Sequence, residues 1–257
     1  MTTIPNQTSF PVIELQEIDS TNRYLSQLCN ESTHNVAEFT TVYSHFQTAG
    51  KGQRGNHWES EKDKNLLFSF VLYPLFLEAK QQFILSQIIS LSIKEVLDKW
   101  TNHITIKWPN DIYYRDRKIC GILIENDLKG CYIGQSICGI GLNINQKQFY
   151  SDAPNPVSLK QITGQDHNCQ EILNLILQRI HDYYYRLSTA DFNVFSKDIQ
   201  NRYHSALFRK NGFHAYEDQE GIFKAQLVGV ENDGRFLLQD EQGQKRSYLF
   251  KEVQYIL

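Results

Sequence analysis

The sequence has no excess of basic charge and no long apolar segment, and each absence excludes a class of protein. Its 26 Lys and Arg residues stand against 29 Asp and Glu residues, which gives a net charge of −3 and a pI of about 6.2. No general positive field is therefore available to hold nucleic acid or an anionic membrane surface. Residues 1–20 carry no signal-peptide pattern, and no stretch elsewhere is apolar enough to span a bilayer. We expect a cytoplasmic protein with no nucleic-acid or membrane partner.

Cysteine and histidine are present, but not in the spacings of disulfide or metal sites. The five cysteines form an odd set without a C-x-x-C pair, and the eight histidines show neither H-x-H nor H-E-x-x-H. These spacings disfavour a disulfide framework and a structural zinc site. No G-x-S-x-G motif of a serine hydrolase occurs either. Reduced and mostly buried thiols are the prediction.

Hydrophobic periodicity predicts an α+β fold. Hydrophobic residues make up 41% and aromatic residues 12%, enough for a sizeable core. A helix following residues 19–22 is predicted from their capping side chains. The other predicted helices are 77–100, 170–187 and 189–206, and the predicted strands are 12–18, 38–46, 66–73, 104–108, 111–115, 118–125 and 131–140. This pattern predicts a mixed β-sheet with helices packed against it.

The last part of the chain has a different pattern. After Gly212, short alternating segments are separated by Asp-Gly and Gln-Gly turns. Such a pattern is typical of a small antiparallel β-barrel. We therefore predict two domains, residues 1–207 and residues 208–257.

A glycine-rich segment lies in the long loop 47–65. The sequence Gly50-Lys51-Gly52-Gln53-Arg54-Gly55 matches G-x-G-x-x-G, but it leads into a strand rather than a helix, which excludes a dinucleotide fingerprint. No kinase or Walker motif accompanies it. The glycines would let backbone N–H groups approach an anion, and Lys51 and Arg54 would add charge. A loop that closes over a phosphate-bearing ligand is one explanation, and a solvated surface hairpin is the commoner one for this segment alone.

A cation, an amide and a carboxylate follow one another at a predicted strand end. They are Lys107, Asn110 and Asp111, separated by Trp108-Pro109. Together they suit a nucleoside triphosphate with Mg²⁺, since lysine can face phosphate and aspartate can face the metal. The alternative is an ordinary Pro-Asn-Asp turn beside an exposed lysine.

Two further segments place glycine or charge inside apolar strands. Lys118 precedes an almost continuously apolar run that contains Gly121, so the lysine is expected to face a pocket or a partner anion. Gly139 lies within a predicted strand, and Asn143 follows it, which indicates flat backbone beneath a ligand. The alternatives are a lysine that extends to water and a β-bulge with an Asn turn.

Taken in order, these segments resemble the biotin–protein ligase family, biotin–[acetyl-CoA-carboxylase] ligase. The resemblance rests on D-S-T-N, Q-T-A-G-K-G-Q-R-G-N-x-W, K-W-P-N-D, R-K-x-x-G-I-L-x-E and G-I-G-x-N-x-N, which extend over most of the chain. It implies a class II synthetase-like catalytic domain, a C-terminal SH3-like barrel, and the form without an N-terminal DNA-binding domain. It also implies that ATP and biotin are substrates, with Mg²⁺, and that biotinyl-5′-AMP and pyrophosphate form before a lysine of a biotin carboxyl carrier protein is modified.

The resemblance also implies roles for individual residues. Lys118, Lys107 and Asp111 would be catalytic, and Asp111 would bind Mg²⁺. The residues implied for biotin are Ser20, Thr21, Asn22, Gln47, Gly50, Lys51, Gly52, Gln53, Lys118, Gly121 and Gly139. Those implied for ATP or the adenylate are Arg54, Trp58, Lys107, Asn110 and Asn143. The chain departs from the common G-R-G-R-x-G-R pattern at Lys51, Gln53 and Asn56, and the last two lose a positive charge.

Two other functions remain open from the sequence. A lipoate–protein ligase would share the architecture and the adenylate chemistry, but its dithiolane needs an apolar slot rather than several hydrogen-bonding side chains. A non-catalytic biotin-binding or carrier-docking module would lack one of the charged residues Lys107, Asp111 and Lys118, all of which are present. A free sheet edge could pair with a second copy of the chain, to give a homodimer, or with the carrier.

Overall fold

The computed structural model describes residues 10–31, 36–53, 56–150 and 155–256. The strands of the main sheet are β1 (Val12–Leu15), β2 (Thr41–Ser44), β3 (Leu66–Leu72), β4 (Ile104–Lys107), β5 (Asp111–Tyr114), β6 (Arg117–Lys129) and β7 (Tyr132–Leu142). The helices are α1 (Thr21–Glu31), α2 (Phe83–Leu97), α3 (Leu159–Thr163), α4 (Cys169–Thr189) and α5 (Phe192–Ala206). A second sheet contains β8 (Phe213–Asp218), β9 (Gly221–Val230), β10 (Phe236–Asp240), β11 (Lys245–Tyr248) and β12 (Gln254–Tyr255).

The main sheet is mixed, with the strand order β1-β2-β3-β7-β6-β5-β4. Strands β1 and β2 pair in parallel, and every other pair is antiparallel. The long hairpin of β6 and β7 lies near the middle of the sheet, and its register places Gly121 opposite Gly141 and Leu123 opposite Gly139. This register brings the glycines of two separate sequence motifs together.

Each face of the main sheet is covered by different elements. Strand β3 is buried throughout, and its alternating side chains divide between the two faces. Phe68 and Phe70 join the large core with α2 and α4, whereas Val71 packs with Leu25 of α1 in a smaller cluster. Because Ser69 and Val71 share a face, Ser69 also points toward α1, which matters for the site below.

Helices α3, α4 and α5 begin at residues whose side chains cap them. The Asn168 side chain accepts from the backbone N–H groups of residues 170 and 171, and Asp191 does the same for residues 193 and 194. Ser158 and Gln161 form a capping box at α3, a short helix that the hydrophobic pattern does not predict. Among the described residues, no helix has the length and apolar character needed to cross a bilayer.

The helix predicted at 77–100 begins later, at Phe83, so this boundary is wrong. The backbone of residues 77–79 is occupied by the tip of the β6–β7 hairpin instead. Ile133 N donates to Leu77 O at 3.0 Å, and Ala79 N donates to Cys131 O at 2.9 Å. These long-range hydrogen bonds satisfy backbone N–H and C=O groups that a helix would otherwise use. No local sequence pattern predicts them.

The second sheet is antiparallel, in the order β11-β10-β9-β8-β12. It packs against the main sheet through Trp108, whose ring stacks on Phe236 with centroids 4.8 Å apart. The Trp108 indole N–H also donates to Gly234 O at 2.9 Å. The predicted α+β class, a mixed sheet with helices followed by an antiparallel C-terminal sheet, is therefore confirmed.

Candidate active site

A cleft of about 840 Å³ lies where four parts of the chain meet. Its walls come from the start of α1, the glycine-rich loop, the strands β5 to β7 and the C-terminal segment. The lining includes Ser20, Thr21, Asn22, Gln47, Lys51, Gly52, Gln53, Trp58, Lys107, Asn110, Asp111, Lys118, Gly121, Gly139 and Gly141. Most of the residues singled out from the sequence are therefore brought to one place.

One end of the cleft, which we call the hydrogen-bonded end, contains Ser20, Thr21, Asn22, Gln47 and Gly139. Ser20 directly precedes α1, Thr21 and Asn22 begin it, and all three are almost completely buried. Thr21 N donates to Gln47 Oε1 at 2.7 Å, which joins the helix to the loop after β2. These polar side chains are therefore held by contacts within the protein.

Ser69 supports this end from below. Its Oγ lies 2.7 Å from Thr21 Oγ1 and 2.6 Å from Asn22 Oδ1, and the residue is fully buried. Sequence reasoning did not assign Ser69 to the site. The available signal was a hydroxyl in the middle of the otherwise apolar strand L-L-F-S-F-V-L, where a buried polar group needs a partner.

Asn22 lies flat against the sheet because Gly139 has no side chain. Asn22 Nδ2 donates to Glu125 Oε2 at 2.7 Å and approaches Leu123 O at 3.4 Å. A Cβ added at Gly139 would lie 2.0 Å from Asn22 Oδ1, far inside van der Waals contact. Glycine at position 139 is thus required for this position of the Asn22 amide.

Trp58 covers the next part of the floor. A Cβ at Gly141 would lie 2.4 Å from its indole ring, and a Cβ at Gly121 would lie 2.8 Å from it. The Trp58 Nε1 is buried without a hydrogen-bond partner among the described residues. The facing glycines therefore form a flat surface that already accepts one planar group.

The other end, the charged end, contains Lys107, Asp111 and Lys118. Lys118 Nζ lies 2.8 Å from Asp111 Oδ1 and 5.5 Å from the centre of the Trp58 ring. Lys107 Nζ donates to Tyr113 OH at 3.1 Å and lies over the rings of Tyr113 and Tyr255, at 4.7 and 4.9 Å. Both lysines face the same cleft with one carboxylate between them.

Burial perturbs Lys107 in a way that suits an anion site. Desolvation lowers the pKa of Lys107, Asp111 opposes that shift, and the charges of Lys118 and Arg209 add to it. Among the described residues, the cleft lining has four lysines, at positions 51, 107, 118 and 251, and one carboxylate, Asp111. An anionic ligand would relieve this imbalance.

Some predicted residues have other positions or partners. Asn143 does not line the cleft; its Nδ2 donates to Val157 O at 3.2 Å, and its buried Oδ1 has no partner among the described residues. Gly50 does not line it either and instead accepts a hydrogen bond from Trp58 N at 3.0 Å. Asn110 lines the cleft, but its Nδ2 donates to Ile122 O at 2.5 Å.

The glycine-rich loop is closed by its own backbone. Gly52 N donates to Asn56 O at 2.7 Å, and Lys51 pairs with His57 across the loop. Lys51, Gly52 and Gln53 line the cleft, and Gln53 Oε1 is buried without a partner among the described residues. Arg54 lies outside the described residues.

The C-terminal segment completes the cleft, which sequence reasoning missed. Residues Phe250, Lys251, Val253, Gln254 and Tyr255 belong to the lining. They lie far from the motifs in sequence and carry no motif of their own. Only the docking of the second sheet places them here.

The chain resembles known proteins over most of its length. Residues 14–143 match the model of the biotin/lipoate A/B protein ligase family. The bifunctional ligase/repressor BirA of Bacillus spizizenii is 28% identical over 238 residues, which are 90% of this chain and 70% of that protein. The biotin–[acetyl-CoA-carboxylase] ligase of Paracoccus denitrificans is 29% identical over 160 residues, 59% of this chain and 65% of that protein.

A solved structure gives the same result. The biotin protein ligase from Aquifex aeolicus in complex with biotin and ATP superposes with a TM-score of 0.77 at 28% identity, and the match covers 96% of this chain and 99% of that one. The family model spans half of the chain, and its match includes both ends of the cleft except for the C-terminal wall. The chain belongs to the biotin/lipoate A/B protein ligase family.

Proposed function

We propose that the protein attaches biotin to a lysine of a carrier protein, using ATP and forming biotinyl-5′-AMP as the intermediate. The observation that carries the proposal is the arrangement of one cleft. A buried hydrogen-bonded end, a flat glycine floor and a charged end follow one another along β6 and β7. A polar ring system, an apolar chain and a carboxylate beside a phosphate would fit these three parts in that order. Relatives of similar sequence are named for this activity.

In the first step, a carboxylate oxygen of biotin attacks the α-phosphorus of ATP and pyrophosphate leaves. Both reactants are anions, so fixed positive charge must offset their repulsion. We assign this role to Lys118 and Lys107, which face the same cleft. Lys118 would exchange its bond with Asp111 for the carboxylate and the α-phosphate, and the cleft would hold both reactants in contact.

In the second step, the carrier's lysine amine attacks the acyl carbon of the mixed anhydride, and AMP leaves with the bond electrons. Water would compete with the amine, so the site must exclude it. Trp58 and the loop residues Lys51, Gly52 and Gln53 line the cleft on the side of the glycine floor and are assigned to this closure. The other biotin and adenylate contacts predicted from the sequence remain part of the proposal.

Mg²⁺ fits the charged end as an ion shared with the nucleotide. Magnesium is commonly held by one or two carboxylates together with substrate phosphates. Asp111 is the one carboxylate among the described lining residues. It would hold the ion, which would supply charge neutralisation at the phosphates.

The acceptor that this function needs is a biotin carrier protein. We propose a biotin carboxyl carrier protein in this role, and the homodimer stays a prediction. We also propose residues 1–207 as the catalytic domain and residues 208–257 as an SH3-like domain. Supporting this division, the strands β8 to β12 form a sheet of their own.

The test is mass spectrometry of a purified biotin carrier domain after incubation with the protein, biotin, Mg²⁺ and ATP. We expect one biotin added to one lysine, and no addition without ATP or when that lysine is replaced by arginine. An unmodified carrier in the complete reaction would overturn the proposal. A non-catalytic module would bind biotin and leave the carrier unmodified.

Lipoate is the competing substrate, because the family includes ligases for both acids. The buried polar side chains Ser20, Thr21 and Asn22 favour a ring that makes several hydrogen bonds. A dithiolane ring offers these groups no N–H or carbonyl, so it would lack the roughly 1 kcal/mol that each hydrogen bond to a polar ring contributes. Calorimetry should show biotin binding and no measurable binding of lipoate, and the reverse order would favour lipoate.

A further inference from the structure

We propose that Gln146 and Glu59 are positioning residues that hold Trp58 over the glycine floor and so limit the loss of the bound adenylate. The inference deepens the proposed function and rests on it, because it concerns the acyl adenylate that this function requires. Each residue lies one position beyond a motif: Glu59 follows N-x-W, and Gln146 follows G-I-G-x-N-x-N. Trp58 lines the cleft, and neither Gln146 nor Glu59 does.

The Trp58 ring is held by shape more than by directed bonds. Its indole lies against the backbone of Gly121 and Gly141, and its buried Nε1 has no hydrogen-bond partner among the described residues. A backbone bond from Trp58 N to Gly50 O, at 3.0 Å, fixes the side toward the glycine-rich loop. Residues 59–61, which follow Trp58, belong to no helix or strand. The position of the ring therefore depends on what holds this irregular segment.

Two buried amides join this segment to the chain after β7. Gln146 and Asn65 are each 1% exposed. Gln146 Oε1 accepts from the backbone N–H of Glu61 at 3.0 Å and from Asn65 Nδ2 at 2.5 Å. Asn65 Oδ1 accepts in turn from Ile144 N at 3.0 Å. Residues 59–65 are thus tied to the residues that directly follow β7.

The nitrogen of the Gln146 amide reaches Glu59. Gln146 Nε2 donates to Gln148 O at 2.8 Å and to Glu59 Oε1 at 3.4 Å, and the same carboxylate oxygen accepts from Tyr150 N at 2.8 Å. The amide has one orientation, because its oxygen faces two donors and its nitrogen faces two acceptors. A buried polar group that is fully satisfied in this way fixes one arrangement of its neighbours. Glu59 is thereby held in place directly after Trp58.

Release of Glu59 would move Trp58 with it, because the two are neighbours in a segment without regular structure. The indole would then leave the glycine floor, and water would reach the acyl carbon of the mixed anhydride. Water attacks that carbon, the bond to the phosphate oxygen breaks, and AMP leaves with the bond electrons while free biotin re-forms. Such hydrolysis consumes ATP and leaves the carrier unmodified.

The test measures pyrophosphate release with biotin, ATP and Mg²⁺ but without the carrier. The first turnover gives a burst that reports adenylate formation, and the later steady rate reports loss of the bound adenylate. Gln146→Glu keeps the acceptor for Glu61 N, removes both donors and places a second carboxylate beside Glu59. We expect the steady rate to rise by about 10-fold and the burst rate to stay within about 2-fold of the wild type. General damage to the cleft would lower the burst rate instead.

The matched control is Gln148→Glu, which makes the same charge change two residues further along the chain. Gln148 is exposed, and its Oε1 accepts from Tyr150 OH, so glutamate keeps that acceptor. Its steady rate should stay within about 2-fold of the wild type. Adding Glu59→Gln to Gln146→Glu again places one amide beside one carboxylate, and should return the steady rate to within about 3-fold of the wild type.

Fluorescence gives a second measurement that does not depend on turnover. The emission of Trp58 is the difference between proteins with tryptophan and with phenylalanine at position 58. It should shift to longer wavelength in Gln146→Glu, because the ring becomes more exposed to water, and an unshifted emission would contradict the inference. Thermal melts identify a variant that fails to fold, and Gln146→Met, which has a similar size and no amide, then replaces Gln146→Glu.

The decisive comparison uses Trp58→Ala, which removes the ring through which both residues act. In that background Gln146→Glu should raise the steady rate by less than about 2-fold. An equal rise with and without Trp58, a control rate equal to that of Gln146→Glu, or a wild-type steady rate in folded Gln146→Glu would overturn the inference. If the wild type itself released no pyrophosphate with biotin and ATP, the proposed function would fail instead.

Discussion

The two ends of the cleft handle polarity in opposite ways. At the hydrogen-bonded end, polar groups are joined to one another by directed hydrogen bonds, as in the bonds from Thr21 N to Gln47 and from Asn22 to Glu125. At the charged end, Lys107 and Lys118 share one neighbouring carboxylate, Asp111. One end is held together by hydrogen bonds within the protein, and the other carries more positive than negative charge among its described residues.

This difference matches what each end has to recognise. A neutral ring is distinguished by the directions of donors and acceptors, which must be fixed in advance to give specificity. Two anions are brought together by charge, whose effect extends over longer distances and needs less exact directions. The following predictions test whether the two ends can be disrupted independently, from the largest expected effect to the smallest.

Lys118→Ala should lower the rate of adenylate formation by about a thousand-fold, because the charge that meets both anions is removed. Biotin affinity measured without ATP should fall far less, and the melting temperature should change little, since the Lys118–Asp111 pair is partly exposed. Pyrophosphate release reports the rate. Release at the wild-type rate would show that the charged end does not depend on this lysine.

Gly139→Ala should weaken biotin binding on the order of 100-fold. The added Cβ would meet Asn22 Oδ1 at 2.0 Å and displace an amide with several hydrogen bonds, each worth about 1 kcal/mol or more. The KM for ATP should be unaffected when biotin is saturating. Gly134→Ala is the control: it lies on the same strand but outside the cleft lining, its nearest Cβ contact is 3.2 Å to Lys129 Cβ, and it should bind biotin normally. Unchanged biotin affinity in Gly139→Ala would contradict the site.

Tyr255→Leu should raise the KM for ATP by roughly 5- to 10-fold. This change corresponds to the loss of one cation–π contact worth about 1 kcal/mol. Its ring lies over Lys107 at 4.9 Å, so the second sheet helps to hold this ammonium in the cleft. Tyr255→Phe keeps the ring and should behave as the wild type, because the Tyr255 hydroxyl has no partner among the described residues. Equal KM values in the two folded variants would show that the Tyr255 ring does not contribute to ATP binding at the charged end.

Lys107→Arg should move the alkaline limit of activity upward. Burial lowers the pKa of Lys107, so its proton is lost at a lower pH than that of an ordinary lysine, and phosphate binding weakens as pH rises through that value. Three charged groups also act on the pKa of Lys107: Asp111 raises it, and Lys118 and Arg209 lower it. Arginine remains charged above this range. The pH profile of kcat/KM for ATP is the measurement, and identical alkaline limbs would refute the role of Lys107.

Much of the fold could be predicted from the local sequence pattern. Strand β3 is predicted within one residue because a continuous apolar run has few alternatives. The helix predicted at 77–100 shows the limit, since hydrogen bonds to the distant hairpin delay its start to Phe83. Periodicity reports which face is apolar and does not report which backbone groups are already bonded elsewhere.

For the candidate site, the sequence by itself determined the chemical groups, because motifs such as K-W-P-N-D and R-K-x-x-G-I-L-x-E state which side chains are available. Only the tertiary structure decided which of them meet. It joined Asn22 to Glu125, brought Ser69 beneath Thr21 and placed Tyr255 over Lys107. The partners in these contacts lie 103, 48 and 148 residues apart, a separation at which neither spacing nor propensity carries information. Such contacts arise from strand register and sheet packing, which depend on the whole core at once.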